Sequence, residues 1–210
     1  SYIKIKIEGV GLSIFLNKKI LIYGLGKSGL SSFKFLKKKS EVFLYDDNKL
    51  NIKIFETKKN LISYKKILKS RFDYIILSPG IDINKCKLNK YLIKNKKKII
   101  TELDVFYLNN PKNIKITITG TNGKSTTCKM IYDIFKLNSL DVRLVGNIGN
   151  SPLLEKKIRP KTIFVIEASS YQIFYNKYFK TDYAAILNLS PDHLERHSNL
   201  SKYASAKLKL

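Results

Sequence analysis

Short runs rich in Ile, Val, Leu and Tyr recur along this chain, separated by stretches in which apolar residues return every three or four positions. The runs fall at 19–23, 41–45, 74–77, 97–100, 114–119, 142–145, 162–166 and 183–187. β-Branched runs alternating with helical periods predict α/β layers built on parallel sheets. Ile75-Ile76-Leu77 and Ile163-Phe164-Val165-Ile166 are apolar throughout, as expected of strands covered by helices on both faces. After the first run, Leu30, Phe33 and Leu36 share one helical face; after the fifth, Met130, Ile131, Ile134 and Phe135 do the same. The polar breaker cluster Asn109-Asn110-Pro111-Lys112-Asn113 interrupts the pattern. It divides the chain into a Rossmann-like parallel-sheet domain, residues 1–110, and a P-loop-type α/β domain, residues 111–210.

Each half opens with a strand that runs into a glycine turn and then a helix. In the first, Gly24-Leu25-Gly26-Lys27-Ser28-Gly29 follows the strand. Glycines there permit a tight turn and close approach of a pyrophosphate, and the helix start supplies free N–H donors. The second strand ends at Asp46, a carboxylate suited to a ribose hydroxyl. Alone, these features favour a nicotinamide or flavin dinucleotide; equally, Gly26 and Gly29 can serve only close packing of helix on strand. Ser78-Pro79-Gly80-Ile81 places a further turn at the carboxyl edge of the same sheet.

The second turn is Gly120-Thr121-Asn122-Gly123-Lys124-Ser125-Thr126-Thr127. Strand, glycine loop, Lys-Ser pair and amphipathic helix arrive in the order a phosphate loop requires. Lys124 neutralises β- and γ-phosphate charge, and the Ser125 hydroxyl is a ligand for Mg²⁺. The general P-loop pattern asks for a glycine where Ile118 stands. An ATP site on Gly120, Thr121, Asn122, Gly123, Lys124, Ser125 and Thr126 is the expectation.

Charge and cysteine content change this picture little. Of 40 basic residues in 210, four are arginines, and the net charge of +24 is spread along the chain without clustering. Scarce guanidinium forks and many Ile, Asn and Tyr codons point to compositional bias, so no nucleic-acid partner is expected. Cys86 and Cys128 match no metal-ligand spacing and no disulfide framework, which suits a reducing cytosol. No apolar run approaches the ~18 residues of a membrane span. A soluble cytoplasmic monomer is expected.

The string Thr119 to Thr127 resembles the ATP loop of the Mur ligases and their folylpolyglutamate synthetase relatives, and the missing extra glycine after Lys124 favours the Mur branch. Gly24 to Gly29, Ser78-Pro79-Gly80-Ile81, Gly146-Asn147-Ile148-Gly149, Glu167-Ala168-Ser169-Ser170-Tyr171-Gln172 and Asn188 to His197 resemble, in order, segments of the D-glutamate-adding branch of that family. The resemblance spans the chain, whereas family members continue through the rest of the central domain and a third domain. The central domain is therefore expected to be incomplete here and the isolated chain to be inactive or a non-catalytic nucleotide-binding fragment.

The resemblance implies ligation of D-glutamate to UDP-N-acetylmuramoyl-L-alanine, driven by ATP and Mg²⁺ through an acyl phosphate, in peptidoglycan precursor synthesis. It implies that the first domain holds the UDP end of the substrate, with Lys27, Ser28, Asp46, Ser78, Pro79 and Gly80 lining the pocket. Asp47-Asn48 departs from the Thr-Arg of some members. By the same resemblance Asn147 and His193 contact substrate, and Lys124, Glu167, His193 and Lys207 are catalytic. Ser125, Glu167, His193 and carbamoylated Lys207 would support metal. A nicotinamide-dependent oxidoreductase using the first glycine turn is the alternative.

Overall fold

The computed structural model describes residues 14–48, 58–190, 207, 208 and 210. The first strand, β1 (Lys19–Tyr23), leads through a glycine turn into α1 (Lys27–Leu36), followed by β2 (Glu41–Tyr45), α2 (Tyr64–Lys69), β3 (Tyr74–Leu77), α3 (Asn89–Lys94) and β4 (Ile99–Ile100). These strands form a parallel sheet in the order β2-β1-β3-β4. Chain direction across the sheet reverses between β1 and β3, so their carboxyl ends flank the crevice in which open α/β sheets bind ligands. Lys97 and Lys98, predicted as strand, form a 3-10 turn instead, because the apolar pair Ile99-Ile100 alone finds a covered place beside β3.

A helix, α4 (Glu102–Asn109), carries the chain to β5 (Lys115–Thr119). After the second glycine turn come α5 (Lys124–Leu137), β6 (Val142–Gly146), β7 (Ile163–Glu167), α6 (Ser170–Phe174) and β8 (Tyr183–Ile186). This second parallel sheet has the order β6-β7-β5-β8, which puts β5 and its glycine turn at the reversal of strand order. The fold class expected from the sequence is thus present twice.

Helix α4 explains why the two sheets form one body. Its residues are apolar nearly all round, and Leu103, Val105, Phe106 and Leu108 are all buried. A helix of that kind must be covered on several sides. It lies in a cluster that also holds Ile20, Ile22 and Leu36 from the first half and Val145, Phe164, Ile166 and Ile173 from the second. Phe106 meets Phe164 edge to face, with ring centroids 4.8 Å apart.

The start of α4 is fixed by chemistry as well as packing. Thr101 and Asp104 form a reciprocal capping box. Asp104, fully buried, then reaches past its own helix: Oδ1 accepts the backbone N–H groups of Lys177, Tyr178 and Phe179 at 3.0, 2.7 and 2.8 Å. One carboxylate therefore pins the segment after α6 to the linker helix through three backbone N–H groups.

Coverage of the second sheet is less complete. Helix α5 turns Cys128 and the half-buried Ile131, Tyr132 and Phe135 toward the strands, but Met130, Ile134 and Leu137 are exposed. The apolar stripe expected around Met130 and Ile134 is therefore displaced by part of a turn. Strand β8, at the sheet edge, is exposed over Tyr183 and Ala184.

Candidate functional site

The carboxyl edges of the two sheets face a common cleft of about 480 Å³. Lys27, Ser28, Asp46, Ser78, Pro79 and Gly80 line it from the first half and Asn147 from the second, so every expected pocket residue in the described region comes together. The alternatives for the first glycine turn separate by position. A Cβ on Gly29 would lie 1.9 Å from the Gly24 carbonyl oxygen, so this glycine serves close packing of α1 on the turn. At Gly26 a Cβ would meet nothing within 4 Å, and the residue borders the open cleft.

The turn is braced from beneath. Ser78 Oγ donates to the Gly24 carbonyl at 2.7 Å. Asp46 Oδ2 accepts the Leu25 N–H at 2.7 Å, and its Oδ1 accepts the Asn48 N–H at 2.8 Å. A carboxylate thus occupies a loop donor that a pyrophosphate would otherwise use, and adds negative charge beneath the turn. Lys27 Nζ donates across the cleft to the Gly149 carbonyl at 2.9 Å, tying the two halves at its mouth.

At the second turn, the helix cap Gly123 makes no side-chain cap bond, and Ser125 and Thr126 are exposed in the first helical turn. Helix N–H groups there remain available to an anion. The loop is held in shape by Asn188, whose Oδ1 accepts the N–H groups of Thr121 and Asn122 at 3.0 and 2.9 Å, while its Nδ2 donates to the Asn122 carbonyl at 3.0 Å. Lys124 Nζ donates to the Thr121 carbonyl at 2.7 Å, folded over the loop.

Glu167 joins the phosphate loop to the cleft. It ends the buried strand β7 and is itself 1% exposed. Its Oε2 accepts from Ser125 Oγ at 2.8 Å, and its Oε1 accepts from Asn147 Nδ2 at 2.8 Å. The Asn147 N–H also donates to the Glu167 carbonyl at 2.9 Å. Gly146 makes that approach possible: its φ is +109°, and a Cβ there would fall 2.2 Å from the Glu167 carbonyl oxygen. Hydroxyl and carboxylate oxygens converging at the foot of a phosphate loop are hard donors of the kind Mg²⁺ prefers.

His193 lies outside the described residues. Lys207 is described and buried, at 1% exposure. Among the described residues no group of three or more His, Cys, Asp or Glu side chains is arranged to hold a metal.

Sequence reasoning missed Glu102. It lies at the base of the cleft, 6% exposed, and accepts hydrogen bonds from Ser31 of α1 and Ser151 of the second half. Burial pushes its carboxyl above the usual carboxylate range, while the serine hydroxyls and the nearby Lys27 charge act in the opposite sense. Nothing local in the sequence marked Glu102 as facing a cleft. Ser169, Tyr171 and Gln172 also line the cleft, from the start of α6.

Residues 18–101 match the model of the Mur ligase MurD-like N-terminal domain, and residues 118–210 match that of the Mur ligase middle domain. The chain belongs to the Mur ligase family, of which it carries an N-terminal and a middle domain. It is 40% identical over 197 residues to a UDP-N-acetylmuramoylalanine--D-glutamate ligase of Rickettsia conorii, covering 92% of this chain and 39% of that protein. A protein of the same name from Caldicellulosiruptor bescii is 37% identical over 207 residues, covering 92% of this chain and 44% of the relative. The chain thus spans about two fifths of the length of the curated relatives it matches.

Among solved structures, the fold resembles a UDP-N-acetylmuramate:L-alanyl-gamma-D-glutamyl-meso-diaminopimelate ligase of Neisseria meningitides. The TM-score is 0.57 at 17% identity, over 92% of this chain and 67% of that one. A UDP-N-acetylmuramate-alanine ligase of Thermotoga maritima gives 0.52 at 21% identity, over 90% and 46%. The matches lie with ligases, and the oxidoreductase reading of the first glycine turn has no support among them.

Proposed function

We propose that this chain supplies the substrate-binding and ATP-binding parts of an enzyme that joins D-glutamate to UDP-N-acetylmuramoyl-L-alanine in the cytoplasm. The observation that carries the reading is the bridge Ser125–Glu167–Asn147, which links the foot of a phosphate loop to the wall of a cleft. The names of the relatives support the substrates and the product.

Joining a carboxylate to an amine requires the carboxylate oxygen to become a leaving group. In the proposed reaction the L-alanyl carboxylate attacks the γ-phosphorus of ATP, expelling ADP and forming an acyl phosphate. The D-glutamate amine then attacks the carbonyl, and phosphate departs. Two anions must meet in the first step, so the chain's task is to position them and offset their repulsion. Lys124, released from the Thr121 carbonyl, would swing onto the phosphates, and the Gly123–Ser125 N–H groups would hold them.

Ser125 and Glu167 fit Mg²⁺ by donor chemistry, with His193 and carbamoylated Lys207 as the further residues the family pattern proposes. When bound, the metal would supply positive charge to offset that of the phosphates. Asn147 would exchange its bond to Glu167 for one to the incoming substrate, and Lys27, Ser28, Asp46, Ser78, Pro79 and Gly80 would hold the UDP end. The dividing line at residues 110 and 111, after α4, is proposed as the boundary between these duties, and a monomer as the working form. No helix among the described residues is long and apolar enough to cross a membrane.

A thermal-shift titration of the 210-residue chain tests the reading, since a ligand bound only by the folded state raises its melting temperature. UDP-N-acetylmuramoyl-L-alanine and Mg-ATP should each raise it, by a few degrees at saturating concentration. A shift with NADP and none with either of these would refute the proposal.

A further inference from the structure

A second cavity, of about 740 Å³, lies apart from the substrate cleft, between the turn before β4 and the segment that leaves α6. Lys94, Lys96, Lys97, Lys98 and Lys177 line it, and no carboxylate does. Lysines are abundant everywhere in this chain, so number alone means little; placement decides. Just after α1, by contrast, Lys37 and Lys39 lie over the Phe33 and Phe35 rings. In the cavity the ammonium groups line a concavity, where low-dielectric walls concentrate their field.

Two of the five are already directed by backbone carbonyls. Lys98 Nζ donates to the Phe72 carbonyl at 2.8 Å, and Lys177 Nζ donates to the Lys97 carbonyl. Lys94, Lys96 and Lys97 have no ion-pair partner among the described residues. Asn176 also borders the cavity, with its Oδ1 turned to Thr101 Oγ1. Phe174 and Tyr175, in edge-to-face contact at 4.8 Å, form an aromatic side to the same cavity.

We propose that this cavity is a binding site for a phosphorylated small molecule, separate from both the phosphate loop and the substrate cleft. Its phosphates would sit among Lys94, Lys96 and Lys97. The volume exceeds what inorganic phosphate needs and leaves room for a planar group against the aromatic side. Helix α6 connects it to the cleft, since Ser169, Tyr171 and Gln172 at the start of that helix line the cleft and Phe174 to Lys177 at its end line the cavity.

The test uses the 210-residue chain carrying Lys124→Ala, which weakens the phosphate loop, titrated calorimetrically with inorganic triphosphate and separately with CTP at about 0.15 M salt, where exposed charge is screened. Saturable binding of either probe is expected, tighter for CTP if the aromatic side takes a base. Lys94→Ala/Lys96→Ala/Lys97→Ala should weaken it at least tenfold, whereas Lys34→Ala/Lys37→Ala/Lys38→Ala, which removes equal charge from the end of α1 and the turn after it, should change it less than twofold. Equal losses from the two triple variants, or no saturable binding, would each overturn the proposal.

Discussion

The two glycine turns of this protein share a plan and differ in electrostatics. Each follows a central parallel strand and opens a helix whose cap glycine makes no side-chain bond. Beneath the first turn Asp46 takes the Leu25 N–H and Lys27 is directed to a carbonyl across the cleft. The second is braced by a neutral amide, Asn188, and carries Lys124 and Ser125 at its helix start. A motif read as nucleotide-binding from glycine spacing therefore has different capacities, depending on which charges the fold brings beneath it. The first suits recognition by a shaped cleft, and the second suits polyphosphate and metal.

The largest effect that would sharpen this contrast is on nucleotide affinity. Lys124→Ala should weaken Mg-ATP binding by about 100-fold, on the scale of a lost charge-assisted contact, and Glu167→Gln should abolish its dependence on Mg²⁺. Calorimetric titration checks both, and Lys124→Ala should not alter the melting-temperature shift given by the UDP-linked substrate. If it does, the two turns do not act as separate sites.

Next in size is the tie between the halves. Asp104→Ala leaves the N–H groups of Lys177, Tyr178 and Phe179, the last of them buried, without their acceptor and should cost about 3–5 kcal/mol. Urea unfolding followed by Tyr fluorescence and far-UV circular dichroism should then show two transitions where the parent shows one. Coincident transitions with little loss of stability would mean that apolar packing around α4 suffices.

Within the first turn, two glycines separate packing from openness. Gly29→Ala drives a methyl group to 1.9 Å from the Gly24 carbonyl oxygen and should cost about 2–4 kcal/mol. Gly26→Ala meets open space and should cost less than about 1 kcal/mol. Chemical denaturation of the pair measures the difference, and equal costs would mean that the turn is not packed as described.

The smallest expected effect concerns Lys115 in the second half. It is fully buried, donating to the carbonyls of Asn113 and Pro111, and burial lowers its pKa from 10.5 to about 8. Between about pH 8 and 10.5 the unfolded chain holds this proton more tightly than the folded one, so stability should rise with pH across that window. The gain should be about 1 kcal/mol per pH unit, at most about 3 kcal/mol over the whole window, and Lys115→Met should flatten the slope. Stability measured by denaturation at several pH values tests this; a slope of the opposite sign would mean that Asp182 and the carbonyls outweigh burial.

Strand positions, the two glycine turns and the Lys-Ser pair were legible in the sequence because periodicity, glycine content and residue order are local properties of a chain. The seven cleft residues named in advance were found together for a related reason, since carboxyl ends of parallel strands in such a topology converge. Exposure of Met130, Ile134 and β8 was not legible, because a helical pattern says which residues share a face and not how much of that face a sheet will cover.

The amino-acid order by itself determined the alternation of strand and helix, the places where the backbone turns, and the phosphate chemistry available at residues 120–126. Tertiary structure decided which groups answer one another over long separations: Glu167 to Ser125 and Asn147, Glu102 to Ser31 and Ser151, Asp104 to the N–H groups of residues 177–179. Such pairings depend on distance in space and exclusion of water, and both exist only once the two sheets have closed on α4.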